Sequence, residues 1–192
     1  RKKITAEVCV HHLWCDRGDY ARLGNRIKCN PSIKEASHRA GLWKALGEGR
    51  LDVIATDHAP HTTGEKAKPY LEAPSGLPLV QHSLCMMLRF VGEKKISIES
   101  AVAHLCHAPA TLFRIRERGF LREGWWADLA VIDPAATFTV DRGNILYQCG
   151  WSPLEGERFT GAVTHTVVSG RMAYEKGRVD PFVRGMRMEY GL

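Results

Sequence analysis

A four-residue run of β-branched and small residues, Val53-Ile54-Ala55-Thr56, constrains this chain more than any other feature. It is apolar without alternation, so it reads as a strand buried on both faces, as in parallel sheets covered by helices. Asp57, His58 and His61 follow at once, and Pro60 between the histidines stops the strand from continuing. Groups that can hold a metal or move a proton therefore stand at the carboxyl end of a buried parallel-type strand. That end is where α/β barrels and open α/β sheets carry out their chemistry.

The partner strand is expected upstream. Ile4 to Val10 alternates and is β-prone, and a strand is predicted there, ending at His11-His12. Successive strand residues point to opposite faces, so these two histidines are not expected to share a ligand sphere. Asp16 to Gly24 reads as a polar, glycine-punctuated loop with room for one helical turn, and Asn25 to Pro31 as extended, because Pro31 disfavours a helical Asn30. Ser32 with Glu35 three residues on predicts a capping box and a helix over about 33–46, stopped by Gly47-Glu48-Gly49. Strand, helix, strand is a βαβ unit, so the two strands are predicted to be parallel.

Residues 62–76 form a polar loop containing Pro and Gly, long enough to suggest that it lines a substrate pocket. Helices are predicted over 77–91, over 98–107 with Ser97 as cap, and over 110–114 opened by Pro109. From Gly119 the pattern turns to short strands at 125–133, 137–140, 161–169 and 171–175, with Ser169-Gly170 as a hairpin turn. The fold class is therefore α/β, divided into a barrel-type part (1–118) and a β-rich part (119–192). Two strands are too few to make a self-sufficient sheet with helices on it, so the first part is expected to belong to a larger barrel.

Composition narrows the function classes. With 44% hydrophobic and 25% charged residues, the 192-residue chain is an ordinary folded protein rather than a disordered one. No apolar run approaches the roughly 20 residues of a membrane helix. Arg1-Lys2-Lys3 is not followed by an apolar segment, so no signal peptide is read there. The net charge is +6, but the 27 Lys and Arg are scattered, which fits a basic surface or a site for an acidic substrate better than a nucleic-acid footprint. The six cysteines lie far apart without a Cys-x-x-Cys pair, so reduced thiols in a cytoplasmic protein are expected, not disulfides or a thiolate zinc site.

At Asp57-His58-Ala59-Pro60-His61 the chain resembles the dihydroorotases, cyclic amidohydrolases of the metal-dependent amidohydrolase superfamily. The similarity continues in register. Glu7-Val8-Cys9-Val10-His11-His12-Leu13 resembles the family's preceding strand, and Lys28-Cys29-Asn30-Pro31 its Asn-Pro turn. Glu65-Lys66 and Glu72-Ala73-Pro74-Ser75-Gly76 resemble the loop that closes the pocket. Gly124 to Asp133 is similar to the strand leading from barrel to β-sandwich. The resemblance covers the C-terminal half only, so it implies the last strands and helices of a TIM-like (β/α)8 barrel followed by part of a small β-sandwich.

The resemblance also implies roles. Asp57 would be a zinc ligand and the catalytic acid/base, while Asn30, His61, Ser75 and Gly76 would bind substrate. The cofactor would be one or two Zn2+, with most ligands upstream of Arg1, so this stretch alone is expected to be inactive. The partner would be a small molecule, dihydroorotate or N-carbamoyl-aspartate, with no nucleic acid or membrane; a homodimer is compatible. Allantoinase, dihydropyrimidinase and a non-catalytic scaffold subunit share the architecture. On residue chemistry alone, Asp57 also reads as a strand-end acid, His61 as a surface histidine and Asn30 as a turn residue. His58 is expected to make structural hydrogen bonds. His11 and His12 are read as structural or as supporting neighbours of a metal ligand rather than as ligands, and His82, His104, His107 and His165 as non-functional.

Overall fold

The computed structural model describes residues 4–191. The basic triplet Arg1-Lys2-Lys3 lies outside the described residues. The chain divides into two compact units: Arg1–Met87 with Thr139–Arg158, and Leu88–Phe138 with Phe159–Leu192.

The first unit is built on two parallel strands, β1 (Glu7–Cys9) and β2 (Val53–Ala55), in the register Glu7↔Val53, Val8↔Ile54 and Cys9↔Ala55. The βαβ expectation holds. Val8, Val53 and Ile54 are buried, as continuous apolar runs in parallel strands should be.

The strand expected to reach His11-His12 stops at Cys9. Val10–Trp14 is instead a short helix, α1, closed by a bond from the Cys15 N–H to the His11 carbonyl (2.9 Å). Val10 and Leu13 are 0% and 1% exposed. Their i, i+3 spacing buries both on one helical face, and that outweighs the alternation read from Val8 and Val10. After α1 come a 3-10 turn (Arg17–Asp19), α2 (Tyr20–Leu23) and a second 3-10 turn (Gly24–Ile27). The first part of the stretch expected to be extended, residues 25–27, is thus helical, and Lys28 resumes the extended backbone.

α3 (Ala36–Gly47) begins three residues later than the capping box predicted. The Glu35 carboxylate accepts from Arg17 Nη1 at 2.8 Å, and the Arg17 N–H donates to the Lys34 carbonyl at 2.8 Å. Both contacts hold 32–35 outside the helix, and Ser32 Oγ accepts from Lys34 Nζ instead of capping. A capping box does form at α4 (Thr63–Lys66), where Thr62 Oγ1 accepts from the Glu65 N–H (3.2 Å) and Glu65 Oε2 from the Thr62 N–H (2.8 Å). The helix expected from Leu77 starts at Ser83, as α5 (Ser83–Gly92). Residues before it are held extended by a parallel bridge between His58 and Leu77.

The second unit contains α6 (Ile98–Val102), a π-helical turn (Ala103–His107) and α7 (Ala108–Leu112). Ser97 caps α6 as expected, its hydroxyl accepting from the Ser100 N–H at 3.1 Å. Pro109 has no N–H and its ring crowds the carbonyl four residues back, so the widened turn before it accommodates both effects.

A four-stranded sheet follows in the order β3 (Leu129–Thr139), β4 (Arg158–Val168), β5 (Arg171–Glu175), β6 (Arg178–Val179). β3 merges two predicted strands and tolerates Pro134 because it is an edge strand. β4 and β5 are antiparallel, joined through Ser169 (φ 49°) and Gly170 (φ 81°). Two positive φ angles in a two-residue loop match the twist of the hairpin.

Candidate active site

β2 ends at Ala55, and Asp57 stands two residues beyond it. Its φ is 46°, a conformation that turns the chain sharply away from the strand axis. The carboxylate is exposed and makes no hydrogen bond among the described residues. Its charge is nevertheless felt locally. Burial, with the Asp57 carboxylate adding to it, pushes the Cys9 thiol up to about 11. Burial and then the same carboxylate raise Cys29, also to about 11. Cys29 adjoins Asn30, so Asp57 stands close to the Lys28–Pro31 turn.

His58 is structural, as expected. Its Nδ1 accepts from the backbone N–H of Leu79 (3.0 Å) and Val80 (3.3 Å). That fixes the segment after α4 against the end of β2.

His61, Ser75 and Gly76 lie together. His61 Nε2 donates to the Ser75 carbonyl at 3.1 Å. Gly76 is buried at φ 135°, and an added Cβ would come within 2.5 Å of the Ala59 carbonyl oxygen. Glycine is required there by close backbone approach as well as by φ. The Gly76 N–H donates to the Lys28 carbonyl at 2.9 Å, which ties this loop to the Asn30 turn. Asn30 itself is exposed, at a cis Asn30–Pro31 bond.

Two further residues hold these segments in place. Lys66 is 4% exposed, and its ammonium donates to the carbonyls of Pro74 (2.9 Å), Gly76 (2.9 Å) and Lys28 (3.2 Å). Burial lowers its amine to about 8. Trp151, 2% exposed, donates its indole N–H to the His61 carbonyl at 2.7 Å. Nothing in the sequence marks Lys66 as buried, since it sits in a polar loop. Trp151 lies ninety residues from its acceptor. His82, read as non-functional, is a buried structural group whose Nδ1 lies 2.9 Å from the Tyr147 hydroxyl.

His11 and His12 correct the expectation that they point apart. On α1 their ring centroids are 4.3 Å apart. His11 is fully buried, and burial followed by the neighbouring His12 lowers its pKa to about 3.

The sequence profile described as the amidohydrolase family matches residues 79–174. The chain belongs to the amidohydrolase family. This amidohydrolase is 33% identical over 179 residues to the dihydroorotase of Methanothermobacter thermautotrophicus, covering 93% of the chain and 41% of that protein. It is 36% identical over 152 residues to the dihydroorotase of Halobacterium salinarum, covering 79% of the chain and 36% of that protein. Among solved structures it is similar to the L-hydantoinase (dihydropyrimidinase) of Arthrobacter aurescens, with TM-score 0.83 and 31% identity, over 91% of the chain and 40% of that structure. The chain thus spans about two fifths of the length of the curated relatives it matches. The α/β barrel-end and β-sheet architecture expected from the sequence is that of these amidohydrolases.

Proposed function

We propose that this amidohydrolase stretch is the C-terminal part of a dihydroorotase. The reaction is the reversible hydrolysis of (S)-dihydroorotate to N-carbamoyl-L-aspartate, a step of pyrimidine biosynthesis in the cytoplasm. The observation that carries the reading is a juxtaposition. Asp57, unpartnered at the open end of β2, is followed by a segment whose His61 is bonded to the Ser75–Gly76 loop, and that loop is bonded to the Lys28–Pro31 turn. Similarity to dihydroorotases over most of the chain supports it.

The exposed carboxylate fits a metal site, because no protein donor competes for its oxygens. Asp57 would be this chain's ligand to zinc, with the other ligands outside these 192 residues. When bound, the metal supplies a hydroxide nucleophile near neutral pH. Asp57 takes the proton as the ring amide carbonyl is attacked and returns it to the leaving nitrogen. Asn30 and His61 hydrogen-bond the substrate carboxylate and ring carbonyls, and backbone groups at Ser75 and Gly76 approach it closely. The reading includes a division near residue 118 and a homodimer as the assembled form.

A second cyclic amide class, hydantoins and dihydropyrimidines, is favoured by the fold shared with the L-hydantoinase. The deciding assay offers dihydroorotate, hydantoin and allantoin to the full-length protein that contains this stretch. Dihydroorotate turnover is expected to dominate, and Asp57→Ala should lower it by about a thousandfold or more without unfolding the protein. A preference for hydantoin would replace the substrate assignment. Near-normal turnover by Asp57→Ala would remove the mechanism.

A further inference from the structure

The junction of β1 and α1 carries a cluster that the hydrolase chemistry above leaves unused. The Cys9 sulfur and one ring nitrogen from each of His11 and His12 lie within 4.8 Å of one another. Tetrahedral zinc, with bonds of about 2.0–2.3 Å, holds its ligand atoms roughly 3.3–3.8 Å apart. Closing the cluster therefore takes shifts of about 1 Å, within reach of small side-chain adjustments.

His11 points to a ligand. Its side chain is 1% exposed, yet neither ring nitrogen has a hydrogen-bond partner among the described residues. Buried polar atoms are almost always partnered, so an imidazole with both nitrogens idle calls for an explanation. His12 has the arrangement common to metal-bound histidines. Its Nε2 donates to the Pro31 carbonyl at 2.9 Å, which fixes the tautomer and leaves a lone pair on Nδ1. A cavity of about 770 Å³, lined by Cys9, His12, Cys15 and Pro31 among others, gives an entry path.

We infer that Cys9, His11 and His12 form a binding site for a zinc-class divalent cation, with one coordination position left to water. One sulfur and two imidazoles select borderline metals over Mg2+ and Ca2+. Binding takes Cys9 as the thiolate, and its proton leaves to solvent. Asp57 is not a member of the set, so the site stands independently of the hydrolase reading. Placing both histidines on a helix rather than a strand is what makes a shared ligand sphere geometrically available.

Co2+, used as a spectroscopic stand-in for Zn2+, tests this on the metal-stripped protein. One equivalent is expected to produce a near-ultraviolet thiolate-to-cobalt absorption and intense visible bands, both bleached by added Zn2+. Cys9→Ser should abolish the thiolate band, and His12→Ala should weaken Co2+ binding by at least about tenfold. Circular dichroism shows whether each variant is folded, and either folded variant suffices for the comparison. Asp57→Asn should leave the thiolate band unchanged even where it abolishes turnover and alters visible bands from the hydrolase metal. The proposal is overturned by the absence of a saturable thiolate band, by its persistence in Cys9→Ser, or by its loss in Asp57→Asn.

Discussion

Gly76→Ala should be among the most damaging single-methyl additions this protein can receive. At φ 135° an L-residue is strained, at a cost of about 1–3 kcal/mol. The new Cβ would also sit 2.5 Å from the Ala59 carbonyl oxygen and 2.6 Å from the Ala59 Cβ. Ordinary carbon contacts lie near 3.5–4.0 Å. Neither neighbour is the end of a flexible side chain, so relief requires the backbone of residues 59–61 to move, at roughly another 1–3 kcal/mol. The expected destabilisation is therefore about 2–6 kcal/mol. Gly64 is the internal control. It lies in α4 with nothing within 4 Å of an added Cβ, so Gly64→Ala should gain about 0.5–1 kcal/mol. Urea unfolding followed by tryptophan fluorescence separates the two. With a slope of about 2 kcal/mol per M, the Gly76→Ala midpoint should fall by about 1–3 M while that of Gly64→Ala rises slightly. A Gly76→Ala protein within about 0.5 kcal/mol of the parent would refute the close-approach argument.

Two further expectations concern buried polar groups. Burial lowers His82 from 6.5 to about 4, so between these values the unfolded chain takes up a proton that the folded one refuses. Its contribution, up to about 3 kcal/mol, is complete above pH 6.5 and is lost as the pH falls towards 4. His82→Gln should flatten the acid side of a plot of thermal midpoint against pH, and an unchanged slope would contradict this. Trp151→Phe keeps the six-membered ring but removes the indole N–H that serves the His61 carbonyl. It should cost about 1–3 kcal/mol in urea unfolding, and a loss below about 0.5 would mean that carbonyl needs no protein donor.

The parallel pairing of β1 and β2 was legible because an unbroken apolar run admits few other readings, and β2 carried Asp57 with it. The Ser169-Gly170 hairpin was legible because its loop requires positive φ at both positions. The α1 segment was misread because Val8 and Val10 alternate, while the competing spacing of Val10 and Leu13 shows only one turn of helix. The start of α3 was misread because Glu35, well placed for a capping box, is engaged by Arg17 across eighteen residues of chain. The Thr62–Glu65 box had the same signature and formed, because the Glu65 carboxylate turns back onto the Thr62 N–H and hydroxyl at 2.8 and 2.7 Å, with His61 no nearer than 4.0 Å. A sequence records which residues can cap, not which partners arrive first. The burial of Lys66 was invisible for the same reason, since its three acceptors come from a loop eight to ten residues on and from Lys28, 38 residues back.

Lys66 has a dynamic consequence. Its ammonium can reach solvent only when it releases Pro74 and Gly76, so the pocket loop cannot swing outward while that amine stays hidden. Exposure of that nitrogen therefore requires its bonds to Pro74, Gly76 and Lys28 to break together. The rate at which an amine-directed reagent acylates this lysine is a clock for access to the Asp57 end of β2.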